Sequence, residues 1–324
     1  MNILKISRAW RIASALSAFA LLLLVSRGCT NTNKPAGEGA TPQATFNTPE
    51  EALQAVVVAM RVHDNEKLKE IFGPDSDDLL FSGDPIDDDL TLDRFVMAYD
   101  QKHKLLPKDD GSMTIVVGKD DWPMPIPLMR DSSGKWLFDT DNGVAEVITR
   151  RIGRNELTVI EVCKAICDAQ REYAQRNPDK DEFPEYARQF ISDPGKTNGL
   201  YWPTTPDEEP SPLGAAVAGA QGEGYSTAPN ALNEPRPYHG YLYRILTAQG
   251  NDAPGGTMDY VINGKLIGGF AVVAWPVNYG SSGIMTFITN YNGEVYQKDL
   301  GEDTDKVARA MTDFNPDSTW KQAE

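Results

Sequence analysis

The sequence predicts an α+β protein of two units, the first over residues 47–150 and the second over residues 151–324. Three observations predict it. From Thr48 onward apolar residues recur first at helical spacing and then, from Met113, in short strand-like runs. Leu157, Ile160, Cys163, Ile166, Cys167 and Tyr173 form one stripe of a long amphipathic helix. Residues 238–301 hold four runs rich in Val, Ile, Tyr, Phe and Thr, parted by Gly, Asn and Ser, which is the pattern of antiparallel strands and hairpins.

Ahead of both units, residues 1–28 read as an export signal. Lys5, Arg8 and Arg11 make a positive start, and Ile12 to Val25 is uncharged and apolar or small. That run is shorter than the ~20 residues of a membrane span and suits a signal core. Cys29 follows Ser26-Arg27-Gly28. A cysteine in this place resembles the lipobox of bacterial lipoproteins, where it is acylated and becomes the mature N-terminus. The resemblance implies a lipid on Cys29 and a membrane-anchored protein facing the periplasm. Ser26 stands where that motif has Leu, and Arg27 is unusual beside the cut. A soluble periplasmic protein, or a retained anchor, is therefore the alternative. Residues 29–46 are polar and rich in Pro and Gly, as a flexible tether is.

In the first unit Thr48 caps a helix, with Pro49 in its first turn and Glu51 completing a capping box. Leu53, Val56, Val57 and Met60 give its apolar face. Asn65 is expected to cap a short second helix through Leu68, Ile71 and Phe72, stopped at Gly73-Pro74. After an acidic loop, Thr91 is expected to open a third helix bearing Phe95, Val96 and Tyr99. Met113 to Val117 is a strand, and Ile126 to Met129 and Trp136 to Phe138 flank Asp131-Ser132-Ser133-Gly134 as a hairpin. Residues 122–127 hold too many prolines for a central strand. The opening helix pair and the closing Gly134-Lys135-Trp136-Leu137-Phe138-Asp139 strand resemble the NTF2-like α+β class. That resemblance implies a pocket between helix and sheet, with Tyr99, His103, Trp122, Trp136 and Asp139 as candidate lining; the plainer reading makes them core aromatics and solvated charges. His103, among lysines, is expected on the surface at a helix end.

In the second unit the long helix extends back through Val144 and Ile148, with Gly153 as its weak point. Asn177, Asp179 and Asp181 have the spacing of a calcium loop, but Glu182 stands where the sharp turn wants Gly and Arg188 where a bidentate Glu belongs, so a solvated turn is expected. A short helix is expected within residues 186–202. Residues 203–237 form a long Pro-, Gly- and Glu-rich loop with a small Ala-rich helix near 214–220, and a last helix follows at 303–311. Cys163 and Cys167 lie on one helix face as small core residues; a disulfide between them would be strained, and two thiols make a poor metal site. Residues 160–190 and 238–299 resemble the head of a type IV pilin or pseudopilin. The hydrophobic half-helix and processing site of a pilin are absent, so the resemblance implies a recognition module rather than a filament subunit.

The formal net charge is -16, and without the four basic residues of the leader 27 basic side chains face 47 acidic ones. Such a surface repels phosphate backbones, so nucleic acid is not an expected partner. No cofactor, metal centre or catalytic residue is assigned. Gly280-Ser281-Ser282-Gly283 reads as a hairpin turn rather than a nucleophile elbow. Gly255, Gly256, Gly268 and Gly269 lack the strand and helix context of a nucleotide loop. His63 is expected to be exposed. His239 stands among Tyr238, Tyr241 and Tyr243 and is expected to approach the Tyr201-Trp202 loop. Tyr201, Trp202, His239 and Tyr241 are therefore the candidate binding residues for a ring, sugar or peptide, against a structural histidine.

Several blocks together cover most of residues 46–320: Thr48-Pro49-Glu50-Glu51-Ala52, Ile71-Phe72-Gly73-Pro74, Arg151-Ile152-Gly153-Arg154-Asn155-Glu156, Gly199-Leu200-Tyr201-Trp202-Pro203, Tyr238-His239-Gly240-Tyr241 and Val295-Tyr296-Gln297-Lys298-Asp299-Leu300-Gly301. They resemble a bacterial family catalogued as Domain of Unknown Function 2950. The resemblance implies an exported envelope protein and brings no catalytic residue. Two functions are expected: a non-enzymatic assembly or recognition module with an envelope protein as partner, or a ligand-binding protein or hydrolase acting on an envelope glycan or peptide near His239, with Asp193 as a further group.

Overall fold

Helix α1 (Pro49–Arg61) begins as its residues dictate: Thr48 Oγ1 accepts the Glu51 N–H at 3.1 Å, and Glu51 Oε2 accepts the Asn47 N–H at 3.0 Å. These observations come from a computed structural model, which describes residues 42–178, 180, 182–227 and 235–323. Helix α2 (Asn65–Phe72) is capped by Asp64 rather than Asn65, and a short α3 (Asp77–Leu80) follows. Helix α4 (Pro85–Gln101) starts six residues before the expected Thr91. Asp84 accepts the Asp87 N–H as its cap and Pro85 fills the first turn, so much of the supposed acidic loop is helix. His103 then opens a strand instead of closing a helix.

The first sheet is antiparallel. It contains β1 (His103–Pro107), β2 (Met113–Val117), β3 (Trp122–Pro123), β4 (Leu128–Arg130) and β5 (Trp136–Phe138), in the order β1-β2-β4-β5 with β3 paired to β2. Its apolar face packs on α1, α2 and α4 through Val56, Leu68, Ile71, Ile115, Ile126, Leu128 and Phe138, all fully buried. Helix α5 (Thr140–Arg176) is unbroken through Gly153 and runs about 55 Å. The expected boundary after residue 150 falls inside it. Its start packs on the first core through Val144 and Val147, and its end lies in a second core with Ile166, Cys167 and Tyr173. Residues 41–324 form one compact unit.

Beyond α5 come α6 (Gly214–Gly222), β6 (Tyr241–Leu246), the two-residue strands β7 (Ala248–Gln249), β8 (Met258–Asp259), β9 (Val261–Ile262) and β10 (Lys265–Leu266), then β11 (Ala271–Pro276), β12 (Met285–Asn290), β13 (Val295–Asp299), α7 (Thr304–Ala310), β14 (Asp313–Phe314) and β15 (Lys321–Gln322). The second large sheet has the order β15-β13-β12-β11-β6, antiparallel throughout. Every residue of β11 is buried, as a central strand requires. The four strand runs expected in residues 238–301 are β6, β11, β12 and β13, so the α+β class holds. No helix forms within residues 186–202. The Gln170 side chain brackets Ala187, accepting its N–H and donating to its carbonyl at 2.8 Å each, while the Tyr186 N–H donates to Leu266 O. Those partners draw the segment out of helical bonding.

Candidate functional site

His239 and Gly240 are the two central residues of a tight turn. Tyr238 and Tyr241 exchange both backbone hydrogen bonds across it, and both central residues are left-handed, at φ 50° and 76°. A histidine in the first of these positions is held there against an ordinary backbone preference. Gly240 answers a second demand, because a Cβ there would lie 2.5 Å from Asn155 Nδ2. The turn is pressed onto α5 and onto the start of α4.

Asp84, fully buried, anchors it. Besides capping α4, its Oδ2 accepts the Gly240 N–H and the Tyr225 hydroxyl, each at 2.9 Å. Tyr225 Oη in turn accepts the His239 N–H at 3.1 Å. One helical turn on, the Asp87 carboxylate is 2 % exposed and meets two guanidiniums and an imidazole: Arg154 Nη2 at 2.9 Å, Arg94 Nη1 at 3.6 Å and His239 Nδ1 at 3.8 Å. On the other side of the imidazole, Nε2 lies 3.4 Å from Glu223. Burial pushes the Asp87 carboxyl up, but contact with His239 and the charges of Arg154 and Arg94 outweigh it and bring its pKa down to about 2. Burial and the Asp84 charge raise the Tyr225 hydroxyl, and burial raises the Tyr238 hydroxyl.

The block Arg151–Glu156 of α5 completes this polar junction. The buried Arg151 guanidinium donates to Asp78 O at 3.0 Å, to Leu79 O and to Ser281 Oγ at 3.2 Å. Asn155 donates to Ser282 O at 2.9 Å, and Glu156 Oε1 accepts the Ile284 and Met285 N–H groups at 3.0 Å. The Gly280–Gly283 turn between β11 and β12 is thus clamped by the helix. Ser282 Oγ is bonded to Asn278, and Ser281 Oγ faces a guanidinium, so neither is set up as a nucleophile.

The expected binding residues do not converge. His239 is at the junction, its side chain 16 % exposed. Tyr241 is fully buried in the core and donates its hydroxyl to Met285 O at 3.0 Å. Tyr201 pairs with the Phe190–Ser192 backbone, and Trp202 stands edge-on to Tyr173 with ring centroids 6.4 Å apart; neither shares a contact with His239. Asp193 is held in its own loop by Lys196 and Asn198. His63 is one-third exposed between Asp93 and Asp89. Of the five residues expected to line a helix–sheet pocket, only Tyr99 and His103 meet, stacked at 3.8 Å in a groove with Glu50, Leu53, Gln54 and Leu105. Trp136 is core, Trp122 lies under Arg150 at a sheet edge, and Asp139 accepts from Asn142 at the start of α5.

Cys163 and Cys167 are buried and free, and burial pushes both thiols up. Among the described residues no group of three or more His, Cys, Asp or Glu is placed to hold a metal ion. Asp179 and Asp181 of the calcium-type spacing, Cys29 and the export signal lie outside the described residues, as do positions 228–234 of the long loop. Sequence reasoning missed Asp84, Asp87, Arg94, Arg154 and Tyr225. A signal for Asp84 was present, since an Asp directly before a Pro marks a helix start.

What this junction does chemically follows from its pairing. Both imidazole nitrogens face carboxylates, and Asp84 and Asp87 are tied to Tyr225, Gly240 and Arg154, while Asp87 Oδ1 meets Arg94 and His239 only at ion-pair distance. The arrangement ties Tyr225, His239 and Gly240 to the start of α4, and Asn155 of α5 lies against the same turn. Compared with known proteins, the chain matches the model of a family described as "Protein of unknown function (DUF2950)" over residues 43–323. No curated protein and no solved structure matches it.

Proposed function

The chain belongs to the DUF2950 family, and from that premise we propose that it is an exported envelope protein, held at the membrane by a lipid on Cys29, that works as a non-enzymatic recognition or assembly module. In this reading residues 47–150 are an NTF2-like helix-and-sheet unit and residues 151–324 a pilin-head-like one. Among the described residues no helix is long and apolar enough to cross a membrane, so the lipid is the anchor in this account. One observation carries the non-enzymatic reading: the densest set of titratable groups is engaged internally. Asp84 accepts from Gly240 and Tyr225, Asp87 faces Arg154, Arg94 and His239, and Arg151 donates to two backbone carbonyls and a serine. A general base needs a nitrogen within reach of a substrate proton, and His239 presents each of its nitrogens to a carboxylate.

A hydrolase reading has one observation in its favour, the left-handed His239 beside a buried carboxylate. Purified protein incubated with peptidoglycan fragments and with casein peptides separates the two. The expected result is no turnover that His239→Ala removes. Turnover lost in His239→Ala, with the thermal midpoint unchanged, would replace this proposal with the hydrolase.

A further inference from the structure

The two ends of the first sheet differ. Beyond β5 an extended segment already adds to the sheet: Phe46 and Trp136 exchange backbone hydrogen bonds at 2.7 and 2.8 Å. Beyond β1 none of the described residues does so. Residues of β1 and β2 pair so that His103 faces Val117 and Leu105 faces Ile115. In the same register Lys102 O accepts from Gly118 and Lys108 N–H donates to Ser112 O. Hydrogen-bonded and non-hydrogen-bonded pairs alternate in an antiparallel ladder, so residues 102, 104, 106 and 108 bond inward to β2. The N–H and C=O of His103 and Leu105, with the C=O of Pro107, therefore point out of the sheet, unmatched.

Beside this edge lies the open groove of Glu50, Leu53, Gln54, Tyr99, His103 and Leu105. Its wall is fixed, because the His103 ring stacks on Tyr99 and its Nδ1 sits 3.0 Å from Tyr99 O. Side chains alternate across a strand. His103 and Leu105 thus look into the groove on the helix side, and Lys102, Lys104, Leu106 and Lys108 share the outer face. Lys102 and Lys104 both reach Asp121, at 2.8 and 3.1 Å, so one carboxylate serves two cations, and Lys108 makes no ion pair with a described carboxylate, although, after the hydrogen bonds from Ser112, its charge helps to lower the Asp110 carboxyl. Three lysines against Asp121 and Asp110 leave one net positive charge along this edge of a chain of net charge -16.

We propose that the open edge of β1 and its groove take up an extended segment of a partner protein as an added strand, with acidic residues alternating with apolar ones. The main-chain groups of His103 and Leu105 supply the pairing, as in strand-addition recognition generally. Apolar side chains enter the groove against Leu53 and Leu105, where Glu50 disfavours an acid. Acidic side chains fall on the outer face beside Lys104 and Lys108. The inference rests on the recognition reading above and names where and what that module binds.

The test is a random peptide display selection against the full chain in detergent micelles, followed by amide hydrogen exchange with a selected synthetic peptide. The expected outcome is enrichment of alternating acidic and apolar residues, protection of the His103 and Leu105 amides on binding, and binding weakened about tenfold by Leu105→Pro and severalfold by Lys108→Glu. Lys108→Glu keeps the edge readable if Leu105→Pro unfolds. Peptides that bind without protecting those amides, or no enrichment, would overturn the inference. In-cell cross-linking separates the two levels. A partner captured equally by wild type and Lys108→Glu leaves the recognition reading standing and removes this edge from it; no partner in wild type removes both.

Discussion

Asp87→Asn removes one negative charge from the junction with little change of shape, and its cost is set by pH. Asp87 is ionised in the folded protein down to a pKa of about 2, against an ordinary 3.8. A depressed folded pKa means stability that is fully present above the unfolded value and lost as pH falls through the folded one. A shift of roughly 1.8 units corresponds to about 2.4 kcal/mol at pH 7, about 1.3 kcal/mol at pH 3 and about 0.4 kcal/mol at pH 2. Arg94 and Arg154 are more than 40 % exposed and can hydrate when the carboxylate goes, so the larger penalty of an abandoned buried cation does not add. Urea unfolding of wild type and variant at pH 7 and pH 3 reads this directly. The expected difference falls by about half between the two. A cost that is the same at both pH values, or below about 0.5 kcal/mol at pH 7, would refute the claim that charge pairing at Asp87 locks the junction.

The other predictions concern the same packing and the anchor. Arg151→Met should cost about 2–4 kcal/mol in urea unfolding, because the buried Leu79 carbonyl and the half-buried Asp78 carbonyl lose their donor; a loss under about 1 kcal/mol would mean that water replaces the guanidinium. Gly283→Ala puts a Cβ 2.1 Å from the Tyr241 hydroxyl and should cost more than about 2 kcal/mol, whereas Gly111→Ala, left-handed but in open space, should cost only about 1 kcal/mol; equal costs would deny the close approach. Cys163 and Cys167 should resist a thiol reagent in the native protein and react once it is unfolded, and labelling at the unfolded rate would place them at the surface. Cys29→Ala should move the protein from the membrane fraction to the soluble periplasm, and a wild type that is already soluble would end the lipid proposal.

Elements whose signals are local were legible in the sequence. The Thr48-Pro49 start of α1, the Asp131–Gly134 hairpin and the four aromatic strand runs after residue 238 each depend on neighbours a few residues away. The junction depends on partners far along the chain: Asp84 and Gly240 are 156 positions apart. Nothing near Asp84 announces that its carboxylate is fully buried, and the run Asp87-Asp88-Asp89 looks like solvated loop until α4 turns Asp87 inward. The same limit explains β1. Lys102 to Lys108 has the composition of a frayed helix end, and only the pairing with Met113–Val117 draws it out as a strand. The aromatic neighbours of Tyr241 suggest a binding surface, but strand alternation places it beneath Gly283 in the core.

In the function proposed above, this protein recognises a partner and the His239 junction only holds it in shape. In-cell cross-linking of the tagged wild type beside His239→Ala and Lys108→Glu, with mass spectrometry of the captured species, tests it most directly. One dominant envelope protein should be captured by wild type and by His239→Ala at equal yield, and at clearly lower yield by Lys108→Glu. A partner lost with His239→Ala but kept by Lys108→Glu, or no partner in any sample, would contradict it.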